Sequence, residues 1–181
     1  MLITYLGHAG FCVETDKTII VMDPWLSANG AFDSSWFQYP RNHDLADYVQ
    51  KLLKETKKDK YIYISHDHQD HFDIDFLNSL ENRDFTILLA KFERPVVRVI
   101  LEKNHYQCQS IVSLGNNEEI VFADGHLTMY TIDAELECDS GVLVNFAGQT
   151  FLNINDCKLH SAVMPILEKE GKIDVFAAQY S

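Results

Sequence analysis

Three of the chain's eight histidines fall within six residues, in Ser65-His66-Asp67-His68-Gln69-Asp70-His71. Neutral imidazoles and carboxylates at this density are ligands for divalent transition metals. The run Tyr61-Ile62-Tyr63-Ile64 before it is short, β-branched and aromatic, which predicts a buried strand. The histidines therefore leave that strand at its carboxyl end, where sites in α/β sheets tend to lie. Extended backbone alternates sides, so His66, His68 and Asp70 are expected to project together while His71 points elsewhere. Two diverging donor groups in one turn suit two ions side by side. The plain alternative is a polar turn rich in histidine by chance. An HxHxDH pattern after an apolar strand is more specific than that.

Other residues could join this chemistry. His8 sits in the glycine-flanked turn Leu6-Gly7-His8-Ala9-Gly10, with a role beside the metal, a role toward substrate or a plain turn role all open. Cys157, next to Asp156, is either a soft ligand or a packing residue. Trp25, Trp36, Phe37 and Tyr39 could wall a pocket or simply pack a loop, and Asp67 could orient a neighbouring histidine. His43, His105 and His126 read as surface residues. No Ser-His-Asp arrangement, Walker loop or GxGxxG is visible.

The elements that must position these residues follow from pattern. LITYLG, GFCVET and Thr18 to Met22 read as strands, the last ended by the turn signal Asp23-Pro24. Residues 27–42 form a loop of aromatic and small residues. From Asp44 to Glu55, Leu45, Tyr48, Val49, Leu52 and Leu53 share one helical face. Asp73 is placed to cap a short helix carrying Ile74, Leu77 and Leu80. FTILLA is a further strand, and ERPVVRVILEK a helix with Pro95 in its first turn. Beyond residue 105, SIVSL, EIVFA, HLTMYTI, GVLVNF and TFLNIN are strand-like, with Ala-Gly-Gln turning the last two into a hairpin. KLHSAVMPILEKEGK predicts a helix bent at Pro165 and stopped at Gly171, before a last strand in KIDVFAAQY. This order suggests an α/β sandwich of two similar halves.

At 181 residues, without linker, repeat or low-complexity tract, the chain reads as a single domain, 1–181. Fifteen Lys and Arg against 27 Asp and Glu leave a net charge of −12, which argues against a nucleic-acid partner. Apolar runs are too short to span a bilayer, and MLITYLGHAGFCVETD has no basic leader, so neither membrane nor secretion is expected. Cys12, Cys108, Cys138 and Cys157 lie far apart without a CxxC pair. They fit reduced thiols and a cytoplasmic location.

SHDHQDHFD after a strand resembles the signature of the metallo-β-lactamase superfamily, whose fold is an αββα sandwich around a one- or two-metal site. GHAGFCVET and VMDPWLSANGAFDSSW are similar to the superfamily's opening strands. ERPV and LNINDC are similar to runs in its sialic-acid-nucleotide hydroxylase branch. The resemblance implies His66 and His68 in a first metal site and Asp70 and His71 in a second. Asp156, by itself only a plausible turn residue, would bridge the two.

Two departures from the family pattern matter. The superfamily usually has a histidine four residues before the pair matched here by Asp139-Ser140, and this chain has Glu135 there. Glu135 in that place would give two histidines and a carboxylate, the set of non-haem Fe(II) oxygenases, although zinc hydrolases use it too. Glu at this position also resembles the fold's diiron β-hydroxylases, which act on carrier-bound amino acids. An acidic surface loop, or Asp133 as the ligand, stays open. The superfamily's last second-site histidine lies beyond a further helix and strand, while this chain stops at Ser181, so the expectation is a domain lacking its last segment. His160 is too near Asp156 to replace that ligand.

The resemblance thus implies a metal-dependent enzyme holding one or two iron ions. It would be an oxygenase acting on a small or carrier-bound substrate, with Asp70, Glu135 and Asp156 at the reacting centre. Electrons would come from an external donor, because no Rieske iron–sulfur module is encoded in this stretch. The alternatives are a dinuclear zinc hydrolase of an ester, lactone or phosphodiester, and a non-catalytic or partner-completed domain.

Overall fold

A computed structural model of the chain describes residues 1–55, 57–131, 139–157 and 163–178. The first sheet runs in chain order: β1 (Leu2–Gly7), β2 (Gly10–Glu14), β3 (Thr18–Met22), β4 (Asp59–Ile64), β5 (Thr86–Ala90) and β6 (Ser110–Leu114). The first three strands pair as antiparallel hairpins, and β3 to β6 are parallel. Parallel neighbours need crossovers, and helices supply them. α2 (Leu45–Leu53) joins β3 to β4, α3 (Ile74–Ser79) joins β4 to β5, and α4 (Val96–Lys103) joins β5 to β6. Both faces of this sheet are covered, so β3 (TIIVM) and β5 (TILLA) are buried at every position, which explains their unbroken apolar sequence.

The 27–42 loop holds one four-residue turn, α1 (Ala31–Ser34), whose Phe32 and Asp33 have positive φ and so depart from a regular helix. Asp73 caps α3 as expected, accepting from the Phe76 amide at 2.9 Å, and its other oxygen accepts from Leu26 N and Ser27 N at 3.0 and 2.7 Å. One carboxylate thereby ties the start of that loop to the helix after the histidine turn. Helix α4 starts at Val96, three residues later than the sequence suggests, so Pro95 is its N-cap and not part of its first turn.

In the second sheet β7 (Glu119–Val121), β8 (Gly125–Tyr130), β9 (Gly141–Phe146) and β10 (Gln149–Asn153) are antiparallel. α5 (Val163–Glu170) then leads to β11 (Val175–Ala177), parallel to β10 at the sheet edge. The β9–β10 hairpin turns on Ala147 and Gly148, at φ +51° and +79°. Gly171, at φ +75°, ends α5. Pro165 falls in the first described turn of that helix.

Val13, Ile20, Met22, Tyr63 and Leu88 of the first sheet meet Leu127, Met129, Val142, Val144 and Phe151 of the second in a central core. Leu6, Ile19, Val21, Ile62 and Ile64 pack outward against Val49, Leu53, Phe76 and Leu101 of the helices. On the opposite outer face, Leu143, Leu152 and Ile154 pack with Ile166 of α5. The layers are thus αββα. Each sheet begins with antiparallel strands and goes on to parallel ones across a helix, with three such crossovers in the first and one among the described residues of the second. No described helix is long and apolar enough to cross a membrane.

Candidate metal centre

The histidine turn leaves the carboxyl end of β4, beside the carboxyl end of β3, so Ser65 and Asp23 are neighbours. The fully buried Asp23 carboxylate accepts from the Ser65 amide at 2.8 Å and its hydroxyl at 2.6 Å. The same carboxylate lies 2.9 Å from His71 Nδ1. On the second sheet, Asp139 Oδ1 is 3.2 Å from His66 Nδ1. A carboxylate beside Nδ1 favours the tautomer with the proton there and the lone pair on Nε2, the usual way in which an outer group orients a ligating histidine. Ser140 Oγ donates to Ser65 O at 2.8 Å, and Tyr63 OH donates to Ser140 O at 2.8 Å, which locks the two sheets together beneath the site.

Two three-donor groups result. His66, His68 and Asp156 each offer an atom within 4.8 Å of the others, and so do His8, Asp70 and His71. Asp156 touches both, since its Oδ2 is 3.5 Å from His71 Nε2. The alternation expected from sequence is corrected here, because Asp70 groups with His71 and not with His66 and His68. The His71 and Phe72 amides both donate to His68 O, at 3.0 and 2.7 Å, closing a turn that ends the extended backbone.

The electrostatics match a cation-shaped arrangement. Burial pulls the His71 imidazole down, but Asp156, Asp23 and Asp70 outweigh it and push its pKa up to about 10. His71 holds the Asp156 carboxyl below its ordinary value. Burial raises Asp70, and His8 and His71 more than offset that, so it too ends below the usual carboxylate range. His8 Nε2, His71 Nε2 and Asp70 Oδ1 are buried and without hydrogen-bond partners. An unsatisfied buried polar atom costs about 1–3 kcal/mol, so three together fit a divalent ion that would satisfy them all.

Aromatic side chains flank this centre. Trp25 and Trp36 pack edge-on to His8, with centroids at 5.6 and 5.2 Å, and Phe32 approaches His68 at 6.3 Å. Of the four aromatic residues expected from sequence, Trp25 and Trp36 join this wall. Phe37 lines a neighbouring open cleft with Arg41 and Asn42, and Tyr39 stands almost fully exposed. Asp67 is exposed, so orientation falls to Asp23 and Asp139, which sequence reasoning had treated as a turn signal and a motif neighbour. The signal available for Asp23 was a lone carboxylate at the carboxyl end of a wholly apolar strand. Cys157 belongs to the packing cluster with Leu152 and Ile154. Glu135, Asp133, Cys138 and His160 lie outside the described residues.

Residues 2–150 match the family model described as beta-lactamase superfamily domain. Among curated relatives, a Mycolicibacterium smegmatis protein provisionally named as a Rieske 2Fe-2S iron-sulfur protein is 32% identical over all of this chain and 34% of its own length. The human inactive cytidine monophosphate-N-acetylneuraminic acid hydroxylase is 32% identical over 86% of this chain and 30% of its own. The chain thus spans only about a third of the length of these relatives. Among solved structures, the diiron beta-hydroxylase CmlA from Streptomyces venezuelae aligns over 96% of this chain and 33% of its own, with TM-score 0.68 and 20% identity. A possible metal-dependent hydrolase from Veillonella parvula covers 92% of this chain and 67% of its own, with TM-score 0.62 and 16% identity. With its αββα sandwich, its HxHxDH turn and a family match over most of its length, the chain belongs to the beta-lactamase superfamily.

Proposed function

We propose that this domain is the metal-binding part of a non-haem iron oxygenase. The observation that carries the reading is that His66, His68 and Asp156 form a group of two histidines and one carboxylate. That combination, with open positions, is the set used by non-haem Fe(II) oxygenases. Iron bound there would supply dioxygen activation for hydroxylating a small or carrier-bound substrate, using electrons from an external donor.

The chain's own residues divide the remaining work. His66, His68 and Asp156 would hold the first ion, and the family pattern adds Glu135 as a further donor to it. Asp70 and His71 hold the second. The bridging role of Asp156 is supported by its membership of one group and its 3.5 Å approach to His71 in the other. Asp23 and Asp139 keep the Nδ1 protons in place, so that Nε2 faces the metal. Trp25, Trp36 and Phe32 flank one side of the centre, with Trp25 alone buried. The names of the mycobacterial and human relatives agree with iron and hydroxylation, and a Rieske-type partner or module is the donor they suggest.

The second reading, a dinuclear zinc hydrolase, draws on the same donor set, which also suits catalytic zinc. Metal analysis of the aerobically purified chain, with an optical spectrum, separates the two. Iron with charge-transfer absorption, and dioxygen uptake when a reductant is added, is the expected result. Colourless zinc with ester or phosphodiester hydrolysis would replace this reading with the second, and a chain that binds neither metal would overturn both.

A further inference from the structure

We propose that His8 is a direct ligand of the second metal ion, completing a His8–Asp70–His71 set. The inference rests on the metal-dependent reading above and adds a donor from the opposite end of the sequence. His8 Nε2 lies 2.8 Å from Asp70 Oδ2, yet the pair is not aligned as a hydrogen bond and Nε2 is left without a partner. Two donors at right angles, each about 2.0–2.2 Å from one ion, stand about 3 Å apart. The spacing therefore matches two lone pairs aimed at one point. His71 Nε2, also buried and unpartnered, is 3.6 Å from the same Asp70 oxygen.

The β1–β2 turn is built to hold this imidazole. His8 has φ +47°, a conformation disfavoured for a residue with a Cβ, and such strain persists only where surroundings enforce it. Gly7 precedes it at φ +107°, and a Cβ there would collide with Gln38 Oε1 and meet Asn42 Nδ2 at 2.8 Å. The Asn42 amide donates to Leu6 O and Trp25 O at 2.6 and 3.0 Å, and Gln38 donates to Trp25 O at 2.8 Å. Tyr5 OH donates to the His8 carbonyl at 3.1 Å. The ring itself is boxed by Trp25, Trp36 and His71. A turn histidine with no ligand role would need none of this clamping.

The competing role is a positioning one, in which His8 only orients Asp70. Proton NMR of the full chain loaded with Co(II) distinguishes them, with ring resonances assigned by selective histidine labelling. Strongly hyperfine-shifted ring protons are expected for His8 as well as for His66, His68 and His71. In His8→Gln, which keeps an amide near Asp70, one imidazole's set should vanish. The second Co(II) should then bind more than about 100-fold more weakly, beyond the roughly 10–100-fold effect of losing an outer partner. An unperturbed melting curve of the metal-free variant shows that the fold is intact. If His71 is strongly shifted and His8 is not in the parent chain, the His8 assignment is overturned while the metal-dependent reading stands. That measurement needs no variant to fold. Failure of the parent chain to bind Co(II) at all would instead overturn both.

Discussion

His68 and Asp23 show how differently two residues of one site depend on their surroundings. His68 is exposed, and its imidazole serves no core. His68→Ala should therefore leave the fold intact while removing most of the metal held with His66 and Asp156. Near-stoichiometric metal in that variant, read by mass spectrometry, would contradict the ligand assignment. Asp23 is fully buried and serves His71 Nδ1, the Ser65 amide and the Ser65 hydroxyl together. Asp23→Asn keeps the volume but offers an amide where a proton acceptor is needed, which favours the wrong His71 tautomer. Affinity for the ion at His71 should fall about 10–100-fold, measured by competition with a chromophoric chelator. Unchanged affinity would mean that Asp23 has only a structural role.

At the scale of elements, the sandwich is pinned at both ends. The site end carries the Tyr63–Ser140–Ser65 network. At the other end Asp124, in the β7–β8 turn, accepts from Thr18 Oγ1 at 2.7 Å and from Thr15 Oγ1, bridging to the β2–β3 turn. Burial raises the Asp124 carboxyl, but the two hydroxyls and Lys17 hold it below its ordinary value. A carboxyl whose pKa is lower in the folded than in the unfolded chain stabilises the fold above the unfolded value of about 3.9. It loses that contribution as pH falls through the folded value. Asp124→Ala should cost about 1 kcal/mol at neutral pH, at the low end for charged hydrogen bonds because the carboxylate is partly exposed. The gap between parent and variant in urea unfolding should narrow below about pH 4. A gap that stays constant as the pH falls further would show that the charge contributes nothing.

For the whole molecule, a metal bound by these donors would be linked to folding. The donor groups join the β1–β2 turn, the end of β4 and the end of β10, three places far apart in sequence. An ion that binds only this assembled arrangement stabilises it by mass action, about 2.7 kcal/mol when free metal is 100 times the dissociation constant. Chelation should accordingly lower the melting temperature by several degrees, and readdition of metal should restore it. A melting temperature indifferent to chelator would place the ions outside the folding equilibrium.

The local chemistry was legible in the sequence. HxHxDH after TyrIleTyrIle announced metal ligands at a strand end. The periodicities of 45–53 and 18–22 set helix and strand, and Asp73 was readable as a cap, because each depends on residues within one or two turns of one another. Pairing the donors was legible only through the family resemblance, which puts Asp70 with His71, and not from backbone geometry. Alternation grouped Asp70 with His66 and His68, whereas the turn closed on the His68 carbonyl sends it to His71. Nor could sequence show that Asp23, Asp139 and His8 converge on the histidines from 48 to 73 residues away, since parallel pairing of β3 with β4 and the stacking of two sheets bring them there. Sequence determined which atoms could bind a metal. The tertiary structure decided which of them meet, because a coordination sphere is set by distances of a few ångströms between strands whose separation along the chain carries no such information.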